Sequence, residues 1–507
     1  MSVSSDNTLP GTAIEKARKA YDEGDLAEAE KLCRQAVDDN PQSAAAIQLL
    51  GRIEYDRQKF NSAAKLFAEA VDLDPQNIDA IVDFGSALVV CGESERAFDA
   101  IASYRAGLSL DEAPASMYNK FGIALRSIDR LDEAERAFRQ ALEIDAQNTE
   151  THYNLALTYE KQNKLDRAVT EYTKTIELNP KHLEALISLG RVYEEQGEDQ
   201  RAISAYQRAI KVDPRSKEAH LNLGNVLVKY YMYDKAVVCY RNALIIDPDE
   251  VSAYEGLGDS FKELNKLDES ESYYKKACDL GSAMARHFLA VVKDVSTEIA
   301  PREYVKELFD GYAKDFEDHL KEALSYRTPE LLYEAFAKVF NAKKRIRRAV
   351  DLGCGTGLAG VAFAPVASCI DGVDLSSSML EEAEKKKIYS ELHDADIVEY
   401  LKGCGMKYDL FIATDVFVYI GNLSPVLTAI RDAAARGAYL VFSVESTEEE
   451  GFLLQRNGRY AHSDGYIQNL ARASGFDIVE MEAAQLRKEE EAWVQGRIII
   501  LRYPHRV

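Results

Sequence analysis

Five prolines set a ruler along the first half of the chain. They stand at 41 and 75, then at 180, 214 and 248, and the interval within each group is 34 residues. A period of that length holds one helix-turn-helix unit, so it predicts a one-dimensional stack rather than a single closed core. The residues inside the period agree. Leu50-Gly51, Ala63, Phe67, Ala70 and Pro75 return as Leu189-Gly190, Ala202, Tyr206, Ala209 and Pro214. They return again as Leu223-Gly224, Ala236, Tyr240, Ala243 and Pro248. Small residues let paired helices approach closely, and the aromatic fills the gap they leave. The repeat with Phe121-Gly122, Ala134, Phe138 and Ala141 keeps register without a proline. Between Pro75 and that repeat the period runs three residues long, which places an insertion between Ala97 and Tyr104.

With these matches residues 1–284 resemble tetratricopeptide-repeat proteins. About eight repeats fit between Pro10 and Met284, and 285–300 reads as a capping helix and linker. The resemblance implies an α-solenoid whose concave groove, lined by the first helix of each repeat, takes a protein or peptide. Asn154 and Asn222 fall at equivalent groove positions, with Asn225 one turn further on. An amide side chain can both donate to and accept from a peptide backbone. The plainer reading of these asparagines is solvated polar residues or local caps.

At 507 residues the chain exceeds one core, so a further domain is expected. Its apolar runs are strand-sized, the start MSVSSDNTLPGTA has no signal-peptide core, and no membrane partner is expected. Seven scattered cysteines without a CxxC pair suggest neither disulfides nor a metal site, and fit a reducing cytoplasm. Net charge is −23, divided as −16 over residues 1–300 and −7 over 301–507. Neither part offers the positive field that carries nucleic-acid affinity, so no nucleic-acid partner is expected.

After Pro301 the repeat stops and strands alternate with helices. Arg347–Leu352, Cys369–Asp374, Tyr408–Ala413, Ala438–Val444, Phe476–Met481 and Arg497–Tyr503 read as strands. Ser378–Lys387 and Leu423–Ala435 read as helices, and a long acidic stretch joins the last two strands. Alternation of this kind argues for an α/β Rossmann-like domain over 301–507, its sheet mostly parallel, with ligands at the carboxyl ends of the strands. There the first strand runs into Asp351-Leu352-Gly353-Cys354-Gly355-Thr356-Gly357. Gly355 to Gly360 also fits the G-x-G-x-x-G of dinucleotide sites, but Asp351 would repel a pyrophosphate. S-adenosylmethionine carries no phosphate. A carboxylate beside its ammonium is favourable, bare glycine backbone can close over its nucleoside, and Asp374 can accept from the ribose hydroxyls.

The ordered set of strand, Asp351, glycines and Asp374 resembles motif I of class I S-adenosylmethionine methyltransferases, over roughly Glu303 to Tyr503. That resemblance implies a seven-stranded, mostly parallel sheet and a cofactor site of Tyr312, Asp351, Gly353, Gly355, Gly357, Asp374, Leu375, Asp396, Ile397 and Asp415. Asp396 would accept from the adenine amino group, with Asp394 its nearby rival, and Ile397 would cover the ring. LFDGYAKDFEDHL resembles a lid helix, from which Tyr312 would reach the methionine carboxylate with Phe316 and His319 nearby. LFDGYAKDFEDHL, YRTPELL, DVFVYIGNL and GRYAHSDGYI together resemble bacterial methyltransferases that contain tetratricopeptide repeats.

For the acceptor, Ala413-Thr414-Asp415-Val416-Phe417 lacks the (D/N/S)PP(Y/F/W) pattern of amide methylation, and O- and N-acceptors stay open. The loop 458–466 offers Arg459 and Tyr466 to a substrate, with Tyr460 and His462 as catalytic candidates. His462 is a possible general base, His319 its understudy, and Arg459 a possible partner for a carboxylate substrate. Two functions follow. In one, the repeats recruit a protein, peptide or carrier-bound acceptor for methylation. In the other, the repeats are a scaffold beside a methyltransferase domain that acts on an unrelated small molecule or serves regulation.

Overall fold

The computed structural model describes residues 13–75, 77–91, 115–313, 316–317, 326–340, 345–489 and 492–504. The chain forms two compact units, Met1–Tyr231 and Met232–Val507. The division falls inside the repeats rather than at the boundary of 300 and 301 that the sequence suggests.

In the first unit antiparallel helix pairs recur: Ala13–Asp22 with Leu26–Asp39, and Ala44–Asp56 with Phe60–Leu73. The later pairs are Ala115–Ser127 with Leu131–Ile144, Thr149–Lys161 with Leu165–Leu178, and Leu183–Glu195 with Asp199–Val212. Side-chain oxygens of Ser43, Asn148 and Ser216 cap first helices by accepting from the backbone N–H three residues on. The repeated glycine earns its place by contact. A Cβ on Gly51 would stand 2.6 Å from the Phe67 ring, and one on Gly190 2.4 Å from the Tyr206 ring. The aromatic therefore occupies the space that a side chain on the facing helix would need. The expected insertion between 97 and 104 lies outside the described residues.

The second unit starts with helices Tyr233–Ile246, Val251–Glu263, Leu267–Asp279 and Ala283–Val292 and continues into an α/β fold. Five parallel strands come first: β1 (Ala349–Leu352), β2 (Ile370–Asp374), β3 (Glu391–Asp394), β4 (Tyr408–Ala413) and β5 (Ala434–Ser446). Then follow β6 (Phe452–Leu454), β7 (Tyr460–His462), β8 (Asp477–Glu489) and β9 (Ala492–Arg502). The order β3-β2-β1-β4-β5 continues through β9 to β8, both added antiparallel. These seven make the expected sheet. Two further short strands, β7 and β6, pair beyond the end of β5 and bring the total to nine. Apolar clusters cover both faces, one on Val350, Phe411 and Phe442, the other on Phe336, Phe363, Leu410 and Ile500. That is why β1 and β4 are mostly apolar, each interrupted by a single aspartate, Asp351 and Asp409. The acidic stretch expected to join the last strands is largely strand itself, a long β8–β9 hairpin.

Candidate functional site

A cavity of about 520 Å³ opens at the carboxyl ends of β1, β2 and β4. Its floor is the glycine turn. Gly353, Gly355 and Gly357 have φ of +69°, +52° and +94°, a region that only glycine enters freely. A Cβ on Gly353 would collide with Val416 at 2.3 Å, whereas nothing lies within 4 Å of where a Gly355 Cβ would stand. The backbone there is bare toward the cavity. Gly355 N–H donates to Asp374 Oδ2 at 2.8 Å and Ser376 N–H to Oδ1 at 2.9 Å. Two bonds fix this carboxylate at the end of β2, while burial raises its pKa. Leu375 and Ile397 stand on the same wall.

Asp396 caps the helix Ile397–Gly403, its Oδ1 accepting from Val398 N–H at 2.9 Å and Glu399 N–H at 3.1 Å. Arg302 Nε lies 3.2 Å from its Oδ2. Of the two rivals, Asp396 borders the cavity, while Asp394 is exposed at the end of β3 and faces Lys306. Thr356 and Thr414 belong to the lining, but their Oγ1 atoms are buried, without a hydrogen-bond partner among the described residues. A cavity that is mostly apolar with a few placed polar groups suits a small molecule that carries both characters.

Asp351 departs from expectation. It is fully buried and forms no part of the cavity wall. Tyr389, packed against Gly360, donates its hydroxyl to Asp351 Oδ2 at 2.7 Å, and Oδ1 has no partner among the described residues. Burial pushes the Asp351 pKa to about 7. The carboxyl supports the turn from beneath, and the structure does not bring it to a ligand's ammonium.

The far end of the cavity is polar and charged. Asp415, at φ +55°, exchanges hydrogen bonds with Ser443: its N–H donates to Oγ at 2.9 Å, and Oγ–H donates to Asp415 Oδ1 at 2.8 Å. Arg487 lies behind it, with Nη1 3.8 Å from Asp415 Oδ2, Nε 2.8 Å from Glu489, and a further ion pair to Glu445. Arg459 borders the cavity and pairs with Glu489. Tyr326 faces Asp415, and burial, reinforced by that charge, holds its phenol neutral. Arg487, Glu489, Tyr326 and Tyr419 all border the cavity; Tyr326 lies in YRTPELL and Tyr419 in DVFVYIGNL, whereas Arg487 and Glu489 stand in no motif. The one trace of them in the sequence is the two-residue spacing of Arg487 and Glu489, which puts both on one face of a strand.

Tyr460 and His462 lie in β7 rather than in a loop, and neither borders the cavity. His462 is completely buried, its Nε2 3.0 Å from the carbonyls of both Ile420 and Gly421, and burial lowers its pKa to about 4. Its ring ties β7 to the turn after β4 and has no access to a substrate proton, which corrects the expectation of a general base. Tyr460 shares a hydrogen bond with Thr297 at 2.5 Å, and Tyr466 accepts from Leu423 N–H at 2.9 Å. Both hydroxyls serve packing. Tyr312 and Phe316 line the cavity; His319 lies outside the described residues.

Among the groove candidates, Asn154 is buried and donates to Asn119 Oδ1 at 3.3 Å, while Arg126 approaches its carbonyl and amide oxygens. Its amide is spent between neighbouring repeats. Asn222 is half-buried and Asn225 exposed.

Family models match repeats in both units and a methyltransferase domain in the second. A tetratricopeptide-repeat model matches residues 14–78, 153–214 and 200–229, and related repeat models match 122–163 and 251–280. A methyltransferase-domain model matches residues 350–440, which span β1 to β5. The chain carries tetratricopeptide repeats and a methyltransferase domain. No curated protein matches it. Among solved structures, it is similar to the MamA protein at 30% identity over 34% of this chain and 94% of that one, with a TM-score of 0.32. MamA from Desulfovibrio magneticus RS-1 matches at 19% identity over 33% and 94%, TM-score 0.31. YrrB, a repeat protein described as having an unusual peptide-binding site, matches at 20% over 37% and 95%, TM-score 0.28. Among the described residues no helix is long and apolar enough to cross a membrane.

Proposed function

We propose that this protein is an S-adenosylmethionine-dependent methyltransferase whose repeats recruit a protein, peptide or carrier-bound acceptor, in a cytoplasmic setting. The observation that carries the cofactor is the bare Gly355 backbone and the fixed Asp374 carboxylate at one cavity. These groups fit a ligand with a ribose diol and no phosphate. Asp374 keeps lone pairs for the two ribose hydroxyls; Asp396 and Ile397 suit the edge and face of a purine, and Tyr312 suits the polar tail. When bound, the cofactor supplies an electrophilic methyl group on a sulfonium. The chain's part is to align the acceptor in line with that methyl and to exclude water, to which the apolar lining of Phe309, Phe316 and Val418 contributes.

The test is transfer of label from methyl-labelled S-adenosylmethionine in a cell extract, with the full chain and with residues 232–507 alone. Recruitment by the repeats predicts a labelled macromolecule whose labelling falls sharply with the fragment, because a groove-bound acceptor is held at high effective concentration. Equal labelling by both would favour the scaffold reading.

A further inference from the structure

The cavity has two poles on either side of β1. Asp374 and Asp396 mark the pole toward β2 and β3. Beyond β4 and β5 stand Asp415, Glu489, Arg459 and Arg487, with Glu445 directly behind them. At this second pole three carboxylates meet two guanidiniums. Both arginines are already engaged: Arg487 with Glu445, Glu489 and Asp415, and Arg459 with Glu489 and, at 3.8 Å, with Glu445. One negative charge is left over. Glu489 gives only Oε1 to the two arginines, so its Oε2 has no hydrogen bond among the described residues. Tyr326 and Tyr419 border the same cavity, and their hydroxyls hydrogen-bond with Asp415 and Arg459 respectively.

We propose that the methyl acceptor is an amine nitrogen seated against Glu489 and Asp415; this deepens the methyltransferase reading and rests on it. An amine donates N–H to the open carboxylate oxygen and keeps its lone pair free for the methyl carbon. That lone pair forms the new N–C bond while the C–S bond breaks, leaving its electron pair on sulfur. Positive charge thereby passes from sulfur to nitrogen, and the product ammonium then releases a proton to water through the carboxylates. A surplus of carboxylate at the acceptor pole stabilises charge that appears there only as the bond forms, which is the condition for lowering a barrier rather than merely binding. A carboxylate acceptor would add a second negative charge to a corner whose guanidiniums are taken.

The experiment is calorimetry on the full-length protein saturated with S-adenosylhomocysteine, using three probes of similar size: benzylamine, phenylacetate and benzyl alcohol. Benzylamine should bind about tenfold or more tighter than either of the others, the worth of one charge-assisted hydrogen bond. Glu489→Gln should abolish that preference and Asp415→Asn should reduce it; if one variant fails to bind S-adenosylhomocysteine, the other and the parent's own ratio decide. Phenylacetate or benzyl alcohol binding as tightly as benzylamine would overturn the proposal. So would failure of every probe to bind the complex, or an amine preference that survives both substitutions. In each of those cases the methyltransferase reading stands. Failure of S-adenosylhomocysteine itself to bind would instead overturn that reading.

Discussion

The two units are stabilised by contacts of different reach. In Met1–Tyr231 the decisive contacts are short in sequence: Gly51 meets Phe67, Gly190 meets Tyr206, and Asn154 bonds to Asn119 one repeat away. In Met232–Val507 distant segments meet. His287 Nε2 lies 2.7 Å from the carbonyl of Gly458, Thr328 Oγ1 donates to Leu486 O at 3.0 Å, and Arg456 reaches Lys262 O at 3.3 Å. The turn that carries Arg459 to the cavity is thus held by the last helices of the repeats, with Phe288 2.9 Å from where a Gly458 Cβ would stand. A solenoid distributes its stability along the chain, whereas this site depends on closure between remote parts.

The largest consequence concerns truncation. Ile299 and Ala300 are cavity wall, and Ala300 N–H donates to Tyr419 O at 3.0 Å. Residues 232–507 should therefore bind S-adenosylhomocysteine like the full chain, and residues 301–507 should bind it at least about a hundredfold more weakly, by calorimetry. Equal binding by the two fragments would break the comparison. Next come matched glycine substitutions. Gly353→Ala meets both a positive φ and Val416, so it should cost on the order of 2–4 kcal/mol and abolish cofactor binding. Gly190→Ala displaces only the Tyr206 ring; it should lower thermal stability by about 1–3 kcal/mol and leave cofactor affinity intact. A smaller effect is expected for Asp374→Ala, about 1.5–3 kcal/mol of S-adenosylhomocysteine affinity with little change in melting temperature.

The subtlest prediction is a pH dependence. The native pKa of His462 is lowered to about 4, against an ordinary value of 6.5, so native His462 stays neutral where the unfolded chain takes up a proton. Its contribution to stability is complete above about pH 6.5 and is lost as pH falls toward 4. The difference in melting temperature between the parent and His462→Asn should therefore be greatest at pH 7.5 and shrink by pH 5. A gap that is constant or widens in acid would contradict the buried, neutral ring.

Periodicity explains which features were legible beforehand. The repeats could be read from five prolines because each unit repeats the same local contact. The glycine turn, Asp374 and Asp415 could be placed at one crevice because each follows an apolar run within a few residues, at the ends of β1, β2 and β4; Asp396 follows the polar β3 and was reached only through the family resemblance. Asp351 was misplaced because its partner, Tyr389, lies 38 residues away in a segment with no motif. His462 looked catalytic because a histidine among polar and aromatic residues suggests a loop, and only the pairing of β7 with β5 and β6 shows that it is enclosed. Arg487 and Glu489 went unseen since the second half of β8, after Met481, reads as an acidic connector until its pairing with β9 is known.

The central claim is that the glycine turn and Asp374 hold a sulfonium nucleoside rather than a dinucleotide. Calorimetric titration of the full chain with S-adenosylhomocysteine, followed by NADH as competitor, tests it most directly. One site per chain, lost in Asp374→Ala and untouched by excess NADH, is the predicted result. Tight NADH binding with no heat from S-adenosylhomocysteine would contradict it.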